Sequence, residues 1–429
     1  MEILVKSKYP VYVHVLVAVS TGVLIVVFAY PGIYEPYMDG GAYFQMAQGH
    51  PEMTYNYYAG RMLHPFAARM LANVVPLELH RAFFVVAVVS LLAFFVFLSL
   101  YIRKLNLNPA LLTPLVCVPA TITLYRAYYF QDLFHAMLVA GFFVFYSYSI
   151  WAALPLLFLL HLTRESTILL SAWLAVVCLR RRAWAYALSV VAVAAIGAGV
   201  TSVAVHAALP NKHGINALEM YVLKVPYAFC YNILGLVFWT DTNASTISCA
   251  PKWIVNVAGH LGSIHQIGFC GFRPSLILAT FGAFLIPFGV EPAIFAYLIR
   301  ERWRTFLKHG YGFQIAFGYG AMCLVLAPVI GPAPGRYILY AWPLFWLALP
   351  ELLKSLPFHR PLTGVLMALH AATSLLGFLS SDLAPWHQKF MVVSMAGMLN
   401  VLAYRCVSKL DAAKKRERRS QIEQTLTEP

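Results

Sequence analysis

Charge is scarce in this sequence, and acid is scarcest of all. Asp, Glu, Lys and Arg make up 11% of the 429 residues, with 17 acidic side chains against 31 basic ones, while 61% are apolar. So little polar surface does not dress a water-soluble globule of this length, and lipid is the expected main solvent. Polar segments longer than a loop are also missing, which argues against a separate soluble domain. Strict alternation of polar and apolar residues is absent too. The apolar runs are continuous and about 17–25 residues long, the reach of a helix through hydrocarbon, whereas a barrel shows alternating segments of roughly 10 residues. The expected fold class is therefore an all-α, polytopic transmembrane protein.

Other absences narrow the chemistry. No internal repeat is visible, which removes the simplest pointer to an inverted-repeat transporter, and there is no low-complexity segment. No Asp-x-Asp pair occurs, and His64, His135 and His161 are too scattered for a zinc site, so no metal site is expected. A divalent cation held by Asp132 and Glu165 is left open beside a role for those acids in orienting arginines. The cysteines are few and odd in number, 7 in all. Cys117, Cys178, Cys323 and Cys406 lie in or beside apolar runs and read as buried thiols. Cys249 and Cys270 share a long external loop where they could pair, with Cys230 as a competitor.

What the sequence does have is a succession of apolar runs, at about 10–30, 81–101, 109–125, 133–149, 151–163, 165–179, 184–208, 273–299, 312–331, 337–353, 362–380 and 389–407. This predicts about twelve spans in one domain, 1–408, followed by a basic tail, 409–429. The first run is too long for a signal-peptide core and lacks a small-residue cleavage site before Pro31, so it is kept as a span. Runs 151–163 and 165–179 are short for upright spans and are expected to meet at Thr163-Arg164-Glu165-Ser166.

The net charge of +14 is concentrated in Lys6/Lys8, Arg103/Lys104, Arg180 to Arg182, Arg300 to Lys308, Lys354/Arg360 and the tail. With these spans, all the clusters fall on one side, as the positive-inside rule requires, so both termini are expected to be cytoplasmic. Membrane lipids are partner enough for this charge, and no nucleic acid is implied. The opposite side receives the long loops 31–80 and 209–272. Their aromatic stretches, such as Tyr221 to Trp239, are expected to lie along the interface as amphipathic or re-entrant helices.

Charges on that second side have no anchoring purpose and are the functional candidates: Asp39, Arg61, His64, Arg69, Arg126, Asp132, Arg164, Glu165 and Arg336. Asp39 also has a structural role open to it, as the cap of a helix whose face carries Tyr43, Met46 and Ala47. Arg164 could pair with Glu165, and Arg126 with Asp132. Against those plain readings, several arginines near one mouth favour an anionic ligand.

Two stretches carry a resemblance. Asp39-Gly40, Tyr43 and Met46-Ala47 directly follow the first run, and a Tyr-rich stretch then leads to Arg61 and Pro65. This pattern resembles the C-type (GT-C) membrane glycosyltransferases, in particular smaller bacterial members that use polyprenyl-phosphate-linked sugars. Thr163-Arg164-Glu165-Ser166 and Gly335-Arg336-Tyr337 also look like positions where such enzymes place charge. The resemblance implies a GT-C-like fold in a bacterial cytoplasmic membrane with an external active site. Its partners would be a polyprenyl-phosphate sugar donor and a glycolipid, glycan or protein acceptor. It further implies Asp39 as the general base of an inverting transfer. Donor-phosphate and substrate contacts would come from Arg336 and Arg164, then Arg126 and Arg61, with His64, Tyr43, Asp132 and Glu165 around them.

Two rivals stand beside it. A transporter or flippase of a lipid-linked sugar would want charge deeper in the spans, where acids are almost absent. A catalytically silent scaffold of a polysaccharide assembly complex would keep the fold alone.

Overall fold

The computed structural model describes residues 9–36, 39–51, 60–112, 118–208, 217–240, 267–306, 310–331, 334–353, 360–379 and 385–427. Within them, regular structure is helical apart from one two-stranded antiparallel sheet. In chain order the helices begin with α1 (Val11–Phe28), α2 (Asp39–Gln48), α3 (Leu63–Val74), α4 (Leu79–Lys104), α5 (Pro119–Arg126), α6 (Asp132–Tyr146), α7 (Ile150–His161) and α8 (Thr167–Arg180). Then come α9 (Trp184–Ala208), α10 (Ala217–Ile233), β1 (Leu236–Thr240), β2 (Ile267–Phe272), α11 (Pro274–Leu285), α12 (Glu291–Phe306), α13 (Tyr311–Ile330), α14 (Pro334–Ile338), α15 (Leu349–Leu353), α16 (Arg360–Leu379) and α17 (Trp386–Thr427).

Five of these, α1, α4, α9, α13 and α17, are long and apolar enough to cross a membrane, and shorter apolar helices lie in α6, α7, α8, α11 and α16. Four stretches depart from the simple picture of unbroken runs. The run 109–125 holds a 3₁₀ turn at Pro109–Leu111 and the eight-residue α5, which starts where Val118 is extended ahead of Pro119. The run 273–299 is two helices, because Pro287, Gly289 and Pro292 interrupt it and Gly289 takes φ +59°. The run 337–353 begins in α14, passes through a 3₁₀ turn and a π turn at Leu344–Ala348, and ends in α15. The stretch Tyr221 to Trp239 is helical only to Ile233; its end is β1, which pairs antiparallel with β2.

Cys270 in β2 is disulfide-bonded and Cys230 is a free thiol, which removes Cys230 as its partner; Cys249 lies outside the described residues. The last helix runs from Trp386 to Thr427 without interruption, so the basic tail from 409 onward continues the final apolar helix.

The core lies between α4, α6, α13 and the 334–353 segment, where Phe94 meets Trp342 edge to face at 5.0 Å and Phe288 meets Phe345 at 4.5 Å. Close approach here depends on glycine. A Cβ at Gly320 would lie 2.6 Å from the Leu344 backbone nitrogen, so this face of α13 admits the π turn only because it is bare. The neighbouring indole of Trp173 covers Gly318 and donates to the Gln314 carbonyl at 2.9 Å.

Candidate active site

Five separate segments bring charged side chains together at one end of the bundle. The approach to α2 is fixed by an aromatic knot. Tyr129 donates to the Tyr34 carbonyl at 2.7 Å, which commits its only proton, so the His80 Nδ1 at 2.6 Å is the donor to the Tyr129 oxygen. Phe44 stacks on His80 at 4.4 Å. A Cβ on Gly40 would lie 2.9 Å from that of Tyr129, so the glycine after Asp39 lets α2 sit against the knot. Asp39 stands in the first turn of α2, and Tyr43 follows one turn later on the same face.

Asp132 opens α6 and is the hub. Its Oδ2 accepts from Arg336 Nε at 2.7 Å, and its Oδ1 accepts from Arg164 Nη1 at 2.6 Å and from Arg336 Nη2 at 3.3 Å. Tyr340, one turn beyond Arg336, donates its hydroxyl to Asp132 Oδ1 and accepts from Arg164. Asp132 and Arg164 have side chains only 5% and 4% exposed. Arg336 reaches outward from this group and donates Nη1 to Asp39 Oδ2; these two side chains are 24% and 26% exposed. Rings back both guanidinium groups, Tyr340 under Arg164 at 4.1 Å and Phe130 under Arg336 at 4.5 Å.

Beside this group, Arg61 makes a two-pronged pair with Glu165, Nε to Oε2 at 2.8 Å and Nη2 to Oε1, and gives Nη1 to the Tyr43 hydroxyl at 2.9 Å. Helix α2 thus binds both groups, Arg336 through Asp39 and Arg61 through Tyr43. Burial alone would push the Glu165 carboxyl up, but the Arg61 charge, its hydrogen bonds and Arg164 outweigh this and hold it at about 2. Burial would likewise lower Arg61 and Arg336, and their acidic partners reverse this, so both stay cationic.

The pairings differ from those open in the sequence. Arg164 pairs with Asp132 rather than with its neighbour Glu165, because the turn between α7 and α8 sends adjacent side chains to different partners. Arg126 does not join Asp132; its side chain is exposed at the end of α5, and its carbonyl accepts from the Tyr34 hydroxyl at 2.9 Å. Three arginines are therefore matched by three acids, and the group carries no surplus of positive charge. Asp132 and Glu165, both engaged by guanidinium groups, are poorly disposed to share a cation, and among the described residues no three His, Cys, Asp or Glu side chains gather.

His64 is buried with its ring 5.2 Å from that of Phe83 and 5.6 Å from Phe134. Burial drives it down to about 4, with Asp132 offsetting only part, so at neutral pH it is an uncharged member of the packing. Arg69 lies apart from the charge group, in an apolar pocket of about 210 Å³ lined also by Met46, Pro51, Met62, Phe66 and Ala204.

Tyr340, Phe130 and His135 were not among the expected site residues. Tyr340 had a signal, its spacing of one helical turn from Arg336. His135 donates Nδ1 to Thr163, whose own proton goes to the Leu160 carbonyl, and thereby ties α6 to the turn that carries Arg164.

No protein-family model matches the chain, and no curated protein shows significant sequence similarity to it.

Proposed function

We propose that the protein is a C-type membrane glycosyltransferase that moves a monosaccharide from a polyprenyl-phosphate donor to a glycolipid, glycan or protein acceptor on the external face of a bacterial cytoplasmic membrane. One observation carries this reading. A carboxylate and a guanidinium, Asp39 and Arg336, each about a quarter exposed, meet at the end of an apolar bundle and are backed by a buried Asp132, Arg164 and Tyr340.

In this reading the donor phosphate binds Arg336 and takes that contact over from Asp39, while Asp132 keeps the arginine in place from behind. Asp39 then receives the proton of the acceptor hydroxyl as its oxygen attacks the anomeric carbon. The bond from that carbon to the phosphate oxygen breaks, and polyprenyl phosphate leaves with the electron pair, its charge met by Arg336. The attack comes from the face opposite the leaving group, so the sugar inverts. Arg164 and Arg61 hold the frame, one through Asp132 and the other through Glu165 and Tyr43. The apolar pocket with Arg69 suits an isoprenoid chain near its phosphate. No metal is invoked, since arginines supply the charge that the leaving group needs.

The test is transfer of labelled sugar from polyprenyl-phosphate donors by the purified protein in lipid, comparing wild type with Asp39→Asn. Transfer by wild type and its loss in Asp39→Asn, at equal thermal stability, is the expected result. Undiminished transfer by the variant overturns the role of Asp39. Donor movement across the bilayer without transfer would instead establish the transporter reading.

A further inference from the structure

Away from that site, the break between α11 and α12 holds a carboxyl group deep in the bundle. Glu291 starts α12 and is 2% exposed. Its Oε2 accepts from Trp346 Nε1 at 3.0 Å, and its Oε1 has no hydrogen-bond partner among the described residues. The 12 residues of α11 place the break about 18 Å along the axis from Pro274, and Arg300 lies about 14 Å along α12 beyond Glu291, so the carboxyl lies between the two ends of the run 273–299 rather than at either.

The surroundings are built around the interruption. Asn400 of α17 gives Nδ2 to the carbonyls of Leu285 at 3.2 Å and Gly289 at 3.5 Å, which the break releases from helical bonding. His370 of α16 lies against Gly289, where a Cβ would fall 2.5 Å from its Nδ1. On the facing segment, Trp346 belongs to the π turn.

Among the described residues no cation pairs with Glu291. The ionisable groups on the described parts of the elements packed around it include Glu351 on α15, His370 on α16, His387, Lys389, Tyr404, Arg405, Cys406, Lys409 and Asp411 on α17, and Tyr297, Arg300 and Glu301 on α12 itself. None of them is hydrogen-bonded to Glu291 among the described residues. Tyr297 bonds Asp411 at 3.1 Å and Arg300 bonds Tyr404 at 3.2 Å. A lone carboxylate with one donor in such a place is far costlier than the neutral acid, and a simple apolar side chain would fill the space without that burden.

We propose that Glu291 is a proton-binding site in the membrane interior, occupied at neutral pH and closed off by the buried Ile286, Phe288 and Val290 of the break. The ligand is the proton itself, and the acid form keeps its carbonyl oxygen on Trp346. This inference is independent of the glycosyltransferase reading; it supplies the interior acid that the sequence alone did not disclose.

Infrared difference spectroscopy of the full-length protein in lipid, wild type minus Glu291→Gln, tests it. The expected spectrum at pH 7 has the carbonyl stretch of a protonated carboxylic acid, which is missing from Glu291→Gln. Trp346→Phe leaves the acid in place but removes its donor, so the same band must move to higher frequency, which assigns it to Glu291 even where Glu291→Gln folds poorly. Carboxylate bands in place of the carbonyl stretch overturn the proposal.

Discussion

Asp132→Asn is the most informative single change to the charge group. It keeps the side-chain volume and removes the one negative charge that Arg164 contacts in the interior, both partners being about 95% covered. Arg336 retains Asp39, but Arg164 would keep only uncharged partners, the amide oxygen at position 132, the Tyr340 hydroxyl and the faces of Tyr340 and Tyr337. Leaving one member of a buried pair uncompensated costs about 3–5 kcal/mol, a factor of roughly 10²–10³ or more in the folding equilibrium. Arg164→Met should cost less than Asp132→Asn, because Arg336 still neutralises Asp132 through two hydrogen bonds. The double variant Asp132→Asn/Arg164→Met should recover at least ~1 kcal/mol relative to the sum of the single changes, since it leaves no stranded cation. Reversible unfolding in mixed detergent micelles, followed by tryptophan fluorescence, measures all three. An Asp132→Asn protein within about 1 kcal/mol of wild type, or strict additivity in the double variant, would refute the claim that these charges are mutually dependent.

Asp39→Asn, by contrast, should leave stability within about 1 kcal/mol of wild type, as expected for partly exposed ion pairs, while abolishing sugar transfer. Acid should weaken the fold in two windows. His64, lowered to about 4 when folded, takes up its proton more readily in the unfolded chain, so its contribution is lost as pH falls from about 6.5 toward 4, and His64→Phe should remove that part. Glu165, held at about 2, contributes stability above its unfolded value near ~4.3 that is lost as pH falls toward 2; with 49% of its side chain exposed, screening limits the change to ~1 kcal/mol, and Glu165→Gln should flatten it. Gly320→Val should lower the unfolding midpoint far more than Gly364→Val, because a Cβ at Gly320 meets the Leu344 backbone at 2.6 Å while one at Gly364 meets nothing within 4 Å.

The membrane character and most helix positions were legible because apolar continuity is a local property. Scarcity of charge also pointed to Asp39, Asp132, Arg164, Glu165, Arg61 and Arg336 one at a time. Their pairing was not legible, because it depends on how segments hundreds of residues apart close on one another. The adjacency of Arg164 and Glu165 suggested a pair that the turn forbids. Arg126 resembled Arg164 and Arg336 in the sequence, yet its side chain is exposed at the end of α5 and stands outside the paired group. Averaging over a long window hid the break near Glu291, although Pro287, Gly289 and Pro292 spelled it out. The strand pair was missed for a related reason: Leu236–Thr240 is as apolar and aromatic as the helix before it, and a strand so short has little periodicity of its own.

The span of 297 positions between Asp39 and Arg336 has a bearing on how the chain is made. During synthesis Asp39 is inserted long before Arg336 leaves the ribosome, and Asp132 waits a further 32 residues for Arg164. Every shorter nascent chain therefore lacks the arginine that joins these two acids, and a product truncated ahead of residue 336 lacks it permanently. The charge group is thus closed only when the last quarter of the chain arrives: until then Asp39 and Asp132 stand without the one guanidinium that touches both.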